Sequence, residues 1–348
     1  MTRRNKIDPL ARPHDPDTGA RLRLVNRFGA ERWSAASWAG GAVHPGLCDE
    51  LRCTTSVDLM QIGVVFPQTE IGGDVAAVRQ YAQAVEQLGY QHVLVYDHVL
   101  GADPRVHAPW TGPYDVHTTF HEPFVLFGYL AGITSLELVT GVVILPQRQT
   151  ALVAKQAAEV DLLTNGRFRL GIGVGWNRVE YDGLGRDFTT RGRRSGEQVE
   201  LLRRLWTEQT VTGTVDDEQI IGAGLAPLPV QRPIPVWFGA QSPPAYRRAG
   251  RLGDGWFPQV QPGAALDQAR AIVEQAARDA GRDPATLGME GRVSWRVDAD
   301  EVVTRAEQWR VVGATHLSIN TMNAGLNSVD DHLAALGSLA VALGLTAA

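Results

Sequence analysis

Two short stretches of this chain carry residue types and spacing suited to chemistry. The first is Asp97-His98, which directly follows the apolar run His92 to Tyr96. Histidine titrates near neutrality, so it can supply or hold a proton, or face negative charge on a bound ring. The same pair also reads as a loop histidine beside a helix-capping aspartate. The second stretch is Gly239-Ala240-Gln241-Ser242, set between the apolar run from Val236 and a helical pattern that reaches Leu252. A turn of this kind offers backbone N–H groups at the positive end of a helix, and Ser242 adds a hydroxyl. That is an anion site suited to a cofactor phosphate. Ser242 before Pro243 is also an ordinary helix start, and the two readings are compatible.

Further candidates follow other apolar runs. His107, Trp110, Tyr114 and His117 lie in the loop beyond His98. Pro146, Gln147 and Arg148 follow the run Leu136 to Leu145, and Gly175, Trp176, Asn177 and Arg178 follow Phe168 to Val174. Arg167 and Arg169 open that last run and read as structural. Arg191, Arg193 and Arg194 precede Glu197 and Glu200 at helical spacing, which fits solvated ion pairs or contacts to an anionic cofactor tail or substrate. His117 and His121 are four apart, but in a stretch that reads as a loop before Pro123, so no metal site is expected.

These residues must be positioned by elements that alternate from Met60 onward. Met60 to Gln68 reads as a first buried strand closed by Pro67. Val75, Val78, Tyr81, Ala82, Val85 and Leu88 then recur at helical spacing up to Gly89. Later strands are expected at His92 to Tyr96, Leu136 to Leu145, Phe168 to Val174, Val236 to Ala240, Gly255 to Pro258, Arg292 to Val297 and His316 to Asn320. Helices are expected at Ala151 to Leu163, Arg194 to Trp206, Pro244 to Leu252, Ala265 to Ala280 and Glu301 to Val312. Eight strands with intervening helices predict an α/β chain folded as a (β/α)8 TIM barrel, with a doubly wound sheet as the competing arrangement. In such a barrel the strands' C-terminal ends form the active face, where both opening motifs fall.

Composition narrows the function. A net charge of −5 without a dense basic block leaves no footprint for nucleic acid. No apolar run is long enough to span a bilayer, and no apolar core follows the Arg-rich start, so a secretory signal is not expected and the cytoplasm is the default location. Cys48 and Cys53 both lie in the first 59 residues, which excludes disulfides and thiolate metal sites from the remainder. Those 59 residues lack periodicity and read as a disordered extension or as translation upstream of a start at Met60. Residues 60–348 show no composition break and are expected to form one domain.

The stretch Val139 to Pro146, the helix through Ala157-Ala158-Glu159-Val160-Asp161, and Gly166 to Gly173 resemble bacterial luciferase-like monooxygenases. Pro235 to Ser242 and Gly253-Asp254-Gly255-Trp256 resemble the same superfamily, in family order from Met60 to about Asn320. Tyr96-Asp97-His98 is most similar to the branch that uses the deazaflavin coenzyme F420. The resemblance implies that Asp97 and His98 line the cofactor ring as the catalytic pair. It further implies that Gly239, Ala240, Gln241 and Ser242 bind the cofactor's phosphate, and that Gly141-Val142 forms a cis peptide bulging against the ring. Gly175, Trp176 and Asn177 would complete the cofactor site, and the chain would pair as a homodimer. Sugar-phosphate dehydrogenases of that branch carry a proton-donating glutamate where this chain has Trp176, and Glu180 is not expected to replace it. Trp110, Tyr114 and Trp176 instead suggest a small apolar or aromatic substrate. The implied reaction is hydride transfer with coenzyme F420, with His98 stabilising charge or moving a proton. An FMN-dependent monooxygenase and a non-catalytic flavin- or deazaflavin-binding carrier are the alternatives.

Overall fold

The computed structural model describes residues 60–296 and 298–345. The expectations for residues 1–59, including both cysteines and the choice of start, lie outside the described residues. The strands are β1 (Gln61–Val65), β2 (His92–Val95), β3 (Glu137–Thr140), β4 (Val143–Ile144), β5 (Phe168–Gly173), β6 (Val211–Val215), β7 (Glu218–Ala223), β8 (Val236–Ala240), β9 (Gly255–Pro258), β10 (Gly288–Ser294) and β11 (His316–Asn320). Parallel pairing runs β3-β2-β1-β11-β10-β9-β8-β5, and β5 pairs back onto β3 to close a barrel. β4 continues β3 beyond Gly141 and Val142, whose shared peptide bond is cis, and it pairs with the far half of β5. Counting β3 and β4 as one interrupted strand gives the eight-stranded barrel expected from the sequence.

The helices are α1 (Gln68–Ile71), α2 (Val75–Gln87), α3 (Pro123–Leu130), α4 (Thr150–Leu163), α5 (Arg178–Gly183), α6 (Arg191–Thr207), α7 (Pro243–Leu252), α8 (Ala264–Asp279), α9 (Ala299–Val311) and α10 (Val329–Ala342). Helix α2 shows how sequence sets them. Asp74 accepts a hydrogen bond from the Ala76 N–H at its start, which supplies one of the partners a helix end lacks. Val78, Tyr81, Ala82 and Val85 are buried along one stripe, and Gly89 takes the left-handed conformation that ends the run. Burying each of the larger side chains contributes roughly 1.5–3 kcal/mol against the entropy of ordering the chain.

Three sequence expectations need correction. The seventh strand is Gly288–Ser294, not Arg292 to Val297. Its interior Glu290 hides the apolar pattern, and it is buried because Arg169, His92 and Ser318 meet it from other strands. The β6–β7 pair is an antiparallel hairpin outside the barrel that no apolar run announces. Arg194 is 2% exposed rather than solvated. Its guanidinium donates to the Pro146 carbonyl and to Asp216 and Glu218 of the hairpin, so it fastens the hairpin to the turn after β4. Arg193 pairs with Glu197 on the surface as the spacing suggested.

Inside the barrel, Trp237, Phe257, Val65, Leu94, Val139 and Met322 form an apolar layer. The Arg169 guanidinium lies 4.3 Å from the Trp237 ring centroid and ion-pairs with Glu290 and Glu137, a structural role as expected. Burial acts to raise the Glu290 carboxyl, yet Arg169 and His92 hold it far below the usual carboxylate range. Burial, with Arg169 and His92 close by, lowers His316 to about 3.

Candidate active site

Asp97 and His98 emerge from β2 at the C-terminal end of the barrel and diverge. The Asp97 carboxylate accepts from Arg148 Nη2 at 2.8 Å and from the Ile144 N–H at 3.1 Å. Arg148 also donates to Glu122 at 2.9 Å. Burial raises the Asp97 pKa, and the opposing pull of Arg148 and the Ile144 N–H does not cancel it. Asp97 therefore ties the end of β2 to β4 and to the start of α3. Asp97 lines the cavity, while its carboxylate is engaged by Arg148 and the Ile144 N–H rather than by His98.

His98 has another carboxylate. Its Nδ1 lies 3.2 Å from Glu180 Oε1 and 3.3 Å from Oε2. Glu180 Oε1 also accepts from the Val99 and Leu100 N–H groups at 2.8 and 3.2 Å. Burial opposes ionisation of Glu180, but hydrogen bonding and charge from His98 and those two N–H groups hold its pKa below the ordinary carboxylate value. An ionised carboxylate only accepts, so Nδ1 carries the proton and donates. Nε2 is left as the free nitrogen of the ring, with no hydrogen-bond partner among the described residues. Helix α5 supplies Glu180, and Asn177 caps that helix by accepting from the Val179 N–H. Asn177 also donates to the Leu100 carbonyl, so its side chain buttresses the His98 loop and lies off the main cavity wall.

Aromatic rings close around the imidazole. Tyr114, Phe120 and Trp176 stand edge-on to His98 with centroids at 5.2, 4.7 and 5.6 Å. Trp176 is 41% exposed and, with Tyr114, forms part of the cavity wall. Trp110 stands behind it, 5.7 Å from the Trp176 ring, and donates its indole N–H to the Tyr114 carbonyl. Of the three expected substrate-pocket residues, Trp176 and Tyr114 line the cavity and Trp110 supports them.

Opposite His98, Gly141 and Val142 project from the interrupted third strand. A Cβ on Gly173 would lie 2.5 Å from Val142 Cγ2, so glycine at this point of β5 is what lets the bulge settle into the barrel mouth. The result is an apolar ledge formed by Val142 and Ile144 facing the cavity.

The far end of the cavity is the Gly239-Ala240-Gln241-Ser242 turn. Ser242 occupies the N-cap position of α7 in extended geometry, but its side chain makes no capping hydrogen bond, so its hydroxyl is available to a ligand. Pro243 and Pro244 fill the first two helical positions and lack N–H groups, which leaves fewer backbone donors than the motif suggested. Arg191 from α6 makes up for this. It reaches the same cavity, with its Nη1 donating to the Phe188 carbonyl and its buried Nε lacking a partner. Of the two uses its spacing allows, a surface ion pair or contact to an anion, Arg191 makes no ion pair among the described residues and faces the cavity; the two prolines are the signal that another donor is needed.

The cavity that joins these features has a volume of about 730 Å³ and runs from His98 and Trp176 past the Val142 ledge and Gly175 to Ser242. That lies within the roughly 300–1,000 Å³ typical of cofactor and ligand sites. Among the described residues no cluster of His, Cys, Asp and Glu could hold a metal ion, and no helix is long and apolar enough to cross a membrane.

A closed parallel barrel with an interrupted third strand and a cavity at its mouth defines a luciferase-like TIM barrel. Residues 60–337 match the luciferase-like monooxygenase family, and the chain belongs to it. One relative is the F420-dependent hydroxymycolic acid dehydrogenase of Mycobacterium tuberculosis, 30% identical over 257 residues, which cover 72% of this chain and 66% of that protein. The chain thus spans just under two thirds of that relative's length. Another is the F420-dependent glucose-6-phosphate dehydrogenase of Kribbella flavida, 29% identical over 248 residues, covering 68% of this chain and 70% of that one. Among solved structures, an F420-dependent secondary alcohol dehydrogenase in complex with an F420-acetone adduct shares the fold. Its TM-score is 0.66 at 18% identity, over 82% of this chain and 99% of that one.

Proposed function

We propose that this chain is an oxidoreductase that moves a hydride between coenzyme F420 and a small apolar or aromatic substrate. The observation that carries the reading is one cavity lined by His98 at one end and by Ser242, with its unbonded hydroxyl, and Arg191 at the other, Nε2 being the imidazole nitrogen left without a partner. The orphaned Arg191 Nε and the free hydroxyl fit a phosphate, and the Val142 ledge fits the face of a flat ring. When bound, the deazaflavin supplies two-electron hydride chemistry, because carbon replaces the nitrogen that makes ordinary flavins react with oxygen. Relatives that use this cofactor support the choice over FMN.

In this reading Ser242 and Arg191 hold the phosphate, and Val142 supports the ring. His98 holds or moves a proton at Nε2, next to where charge changes during hydride transfer. Glu180 fixes the tautomer that leaves Nε2 free, and the backbone N–H groups of Val99 and Leu100 keep Glu180 ionised. Asp97 positions the end of β2 through Arg148. Trp176 and Tyr114 form an apolar lid over the substrate space and exclude water from the imidazole. The place where glucose-6-phosphate dehydrogenases carry a glutamate is filled here by Trp176, and Glu180 lies beneath His98 rather than on the cavity wall. An apolar or aromatic substrate fits that wall better than a sugar phosphate.

The test is His98→Gln with cofactor affinity and turnover measured separately. Turnover is expected to fall by about two decades, within the range for loss of one general acid–base group, while affinity changes less than threefold. Unchanged turnover removes His98 from the chemistry.

A further inference from the structure

A second cavity of about 600 Å³ adjoins the phosphate end of the first. The two come together at the starts of α6 and α7: Arg191 and Ser242 face the first, while Gly192, the next residue, and Pro244, two residues on from Ser242, face the second. Helix α7 presents Arg247, Arg248 and Arg251 to this second space. Among the described residues none of these three, nor Arg191, has a carboxylate within salt-bridge distance, whereas the neighbouring Arg193 and Arg194 both do. Glu197, Glu200 and Asp279 also line the cavity; Glu197 pairs with Arg193, Asp279 accepts from the neutral Gln275 amide, and neither Glu200 nor Asp279 is paired with Arg247, Arg248 or Arg251.

Two glycines on α6 make room for the guanidiniums. A Cβ at Gly192 would lie 2.6 Å from Arg248 Nη2, and one at Gly196 would lie 3.5 Å from Arg251 Nη2. Gly192 and Gly196 are one helical turn apart, so the two guanidiniums lie along one face of α6. Burial, with Arg251 and Arg191 as like-charged neighbours, lowers the pKa of Arg248. Guanidiniums gathered with no carboxylate paired to them repel one another, and an anion seated between them relieves that repulsion.

We infer that this second cavity is a subsite for carboxylates carried on the part of the cofactor beyond its phosphate, with Arg248 and Arg251 as the recognising groups. The inference rests on the reading of the cofactor as coenzyme F420. That molecule continues past its phosphate through a lactyl group into a chain of glutamates, and each added glutamate brings a carboxylate. Guanidinium forks suit carboxylates because they can donate two parallel hydrogen bonds.

The experiment is a fluorescence titration of the full chain with coenzyme F420 bearing one glutamate and with forms bearing several, at low and high salt. The long-tailed forms are expected to bind about tenfold more tightly at low salt, and the difference is expected to shrink at high salt. In the double variant Arg248→Gln, Arg251→Gln the difference should vanish, while affinity for the one-glutamate form stays within about twofold of the parent. Gly192→Ala, which crowds Arg248, should reduce the difference without removing any charge. Free oligoglutamate should compete weakly, since the tethered tail acts at high effective concentration.

Equal affinity for all tail lengths in the unmodified chain overturns the inference without recourse to any variant. So does an equal loss for all lengths in the double variant, and so does strong competition by free oligoglutamate, which would assign the cavity to free anions. Failure of every form of the cofactor to bind overturns both this inference and the proposed cofactor. Tail-insensitive binding overturns this inference alone.

Discussion

Replacing Glu180 by glutamine tests the geometry of the site with almost no change in shape. Three donors converge on this side chain: the Val99 and Leu100 N–H groups on Oε1, and His98 Nδ1 within 3.3 Å of both oxygens. A glutamine satisfies the two backbone donors only by placing its carbonyl oxygen where Oε1 stands. Its NH2 group then falls at the Oε2 position, facing His98 Nδ1. The Nδ1 proton would have only Oε1, 3.2 Å away and already accepting from two N–H groups, while the new NH2 donor faces Nδ1, so the balance shifts to the tautomer with the proton on Nε2. Nε2, the nitrogen otherwise left free, would change from acceptor to donor.

The loss is one hydrogen bond to a charged group, worth about 1.5–3 kcal/mol, which corresponds to one to two decades in turnover if His98 acts through Nε2. The assay pairs steady-state turnover and cofactor affinity with nitrogen NMR of labelled histidine to read the tautomer. The expected outcome is a tautomer switch, a fall in kcat of one to two decades and an unchanged cofactor Kd. A switched tautomer with unchanged kcat would refute the role of His98. An unswitched tautomer would refute the hydrogen-bond reasoning itself.

Other perturbations separate scaffold from site. Ser242→Glu places negative charge beside the phosphate position and should weaken cofactor binding at least tenfold, read by fluorescence titration; unaltered affinity would leave Ser242 as a helix start only. Asp97→Ala removes one partner of a buried ion pair and leaves Arg148 to Glu122 alone, so stability should fall by about 3 kcal/mol in chemical denaturation. Stability should also depend on pH through His316. The unfolded chain protonates His316 near its ordinary value of 6.5, while the folded protein resists protonation until about 3. The contribution of His316 is therefore fully present above pH 6.5 and is lost as pH falls from there towards 3, with a slope of up to about 1.4 kcal/mol per pH unit. His316→Gln should flatten the denaturation midpoint against pH across that window, and an unchanged slope would contradict the burial of His316.

Much of the scaffold was legible because barrel strands buried on both faces read as short apolar runs. β2, β8, β9 and β11 lie where such runs predict them. The start of β10 was missed because Glu290 sits within it, and what makes Glu290 tolerable there is Arg169, 121 residues away in sequence. Helix α3 is apolar on all sides, so it carries no 3.6-residue stripe to announce it. At the site, the strand ends were legible and the pairings were not. Asp97-His98 looks like one acid–base unit in sequence, yet Asp97 turns to Arg148 and His98 to Glu180. Glu180 is 82 residues beyond His98, and only closure of the barrel brings them together. For Arg191, Arg193 and Arg194 the local charge pattern allowed ion pairs or anion contacts alike, and only the fold separates Arg191, at the cavity, from Arg193 and Arg194 in their ion pairs.

The most direct test of the account is a fluorescence titration of the full chain with coenzyme F420 and, separately, with FMN, each oxidised and reduced. The account predicts saturable binding of coenzyme F420 in both redox states, weakened by Ser242→Glu and by Arg191→Gln, and no comparable affinity for FMN. Tight FMN binding with no affinity for coenzyme F420 would contradict it.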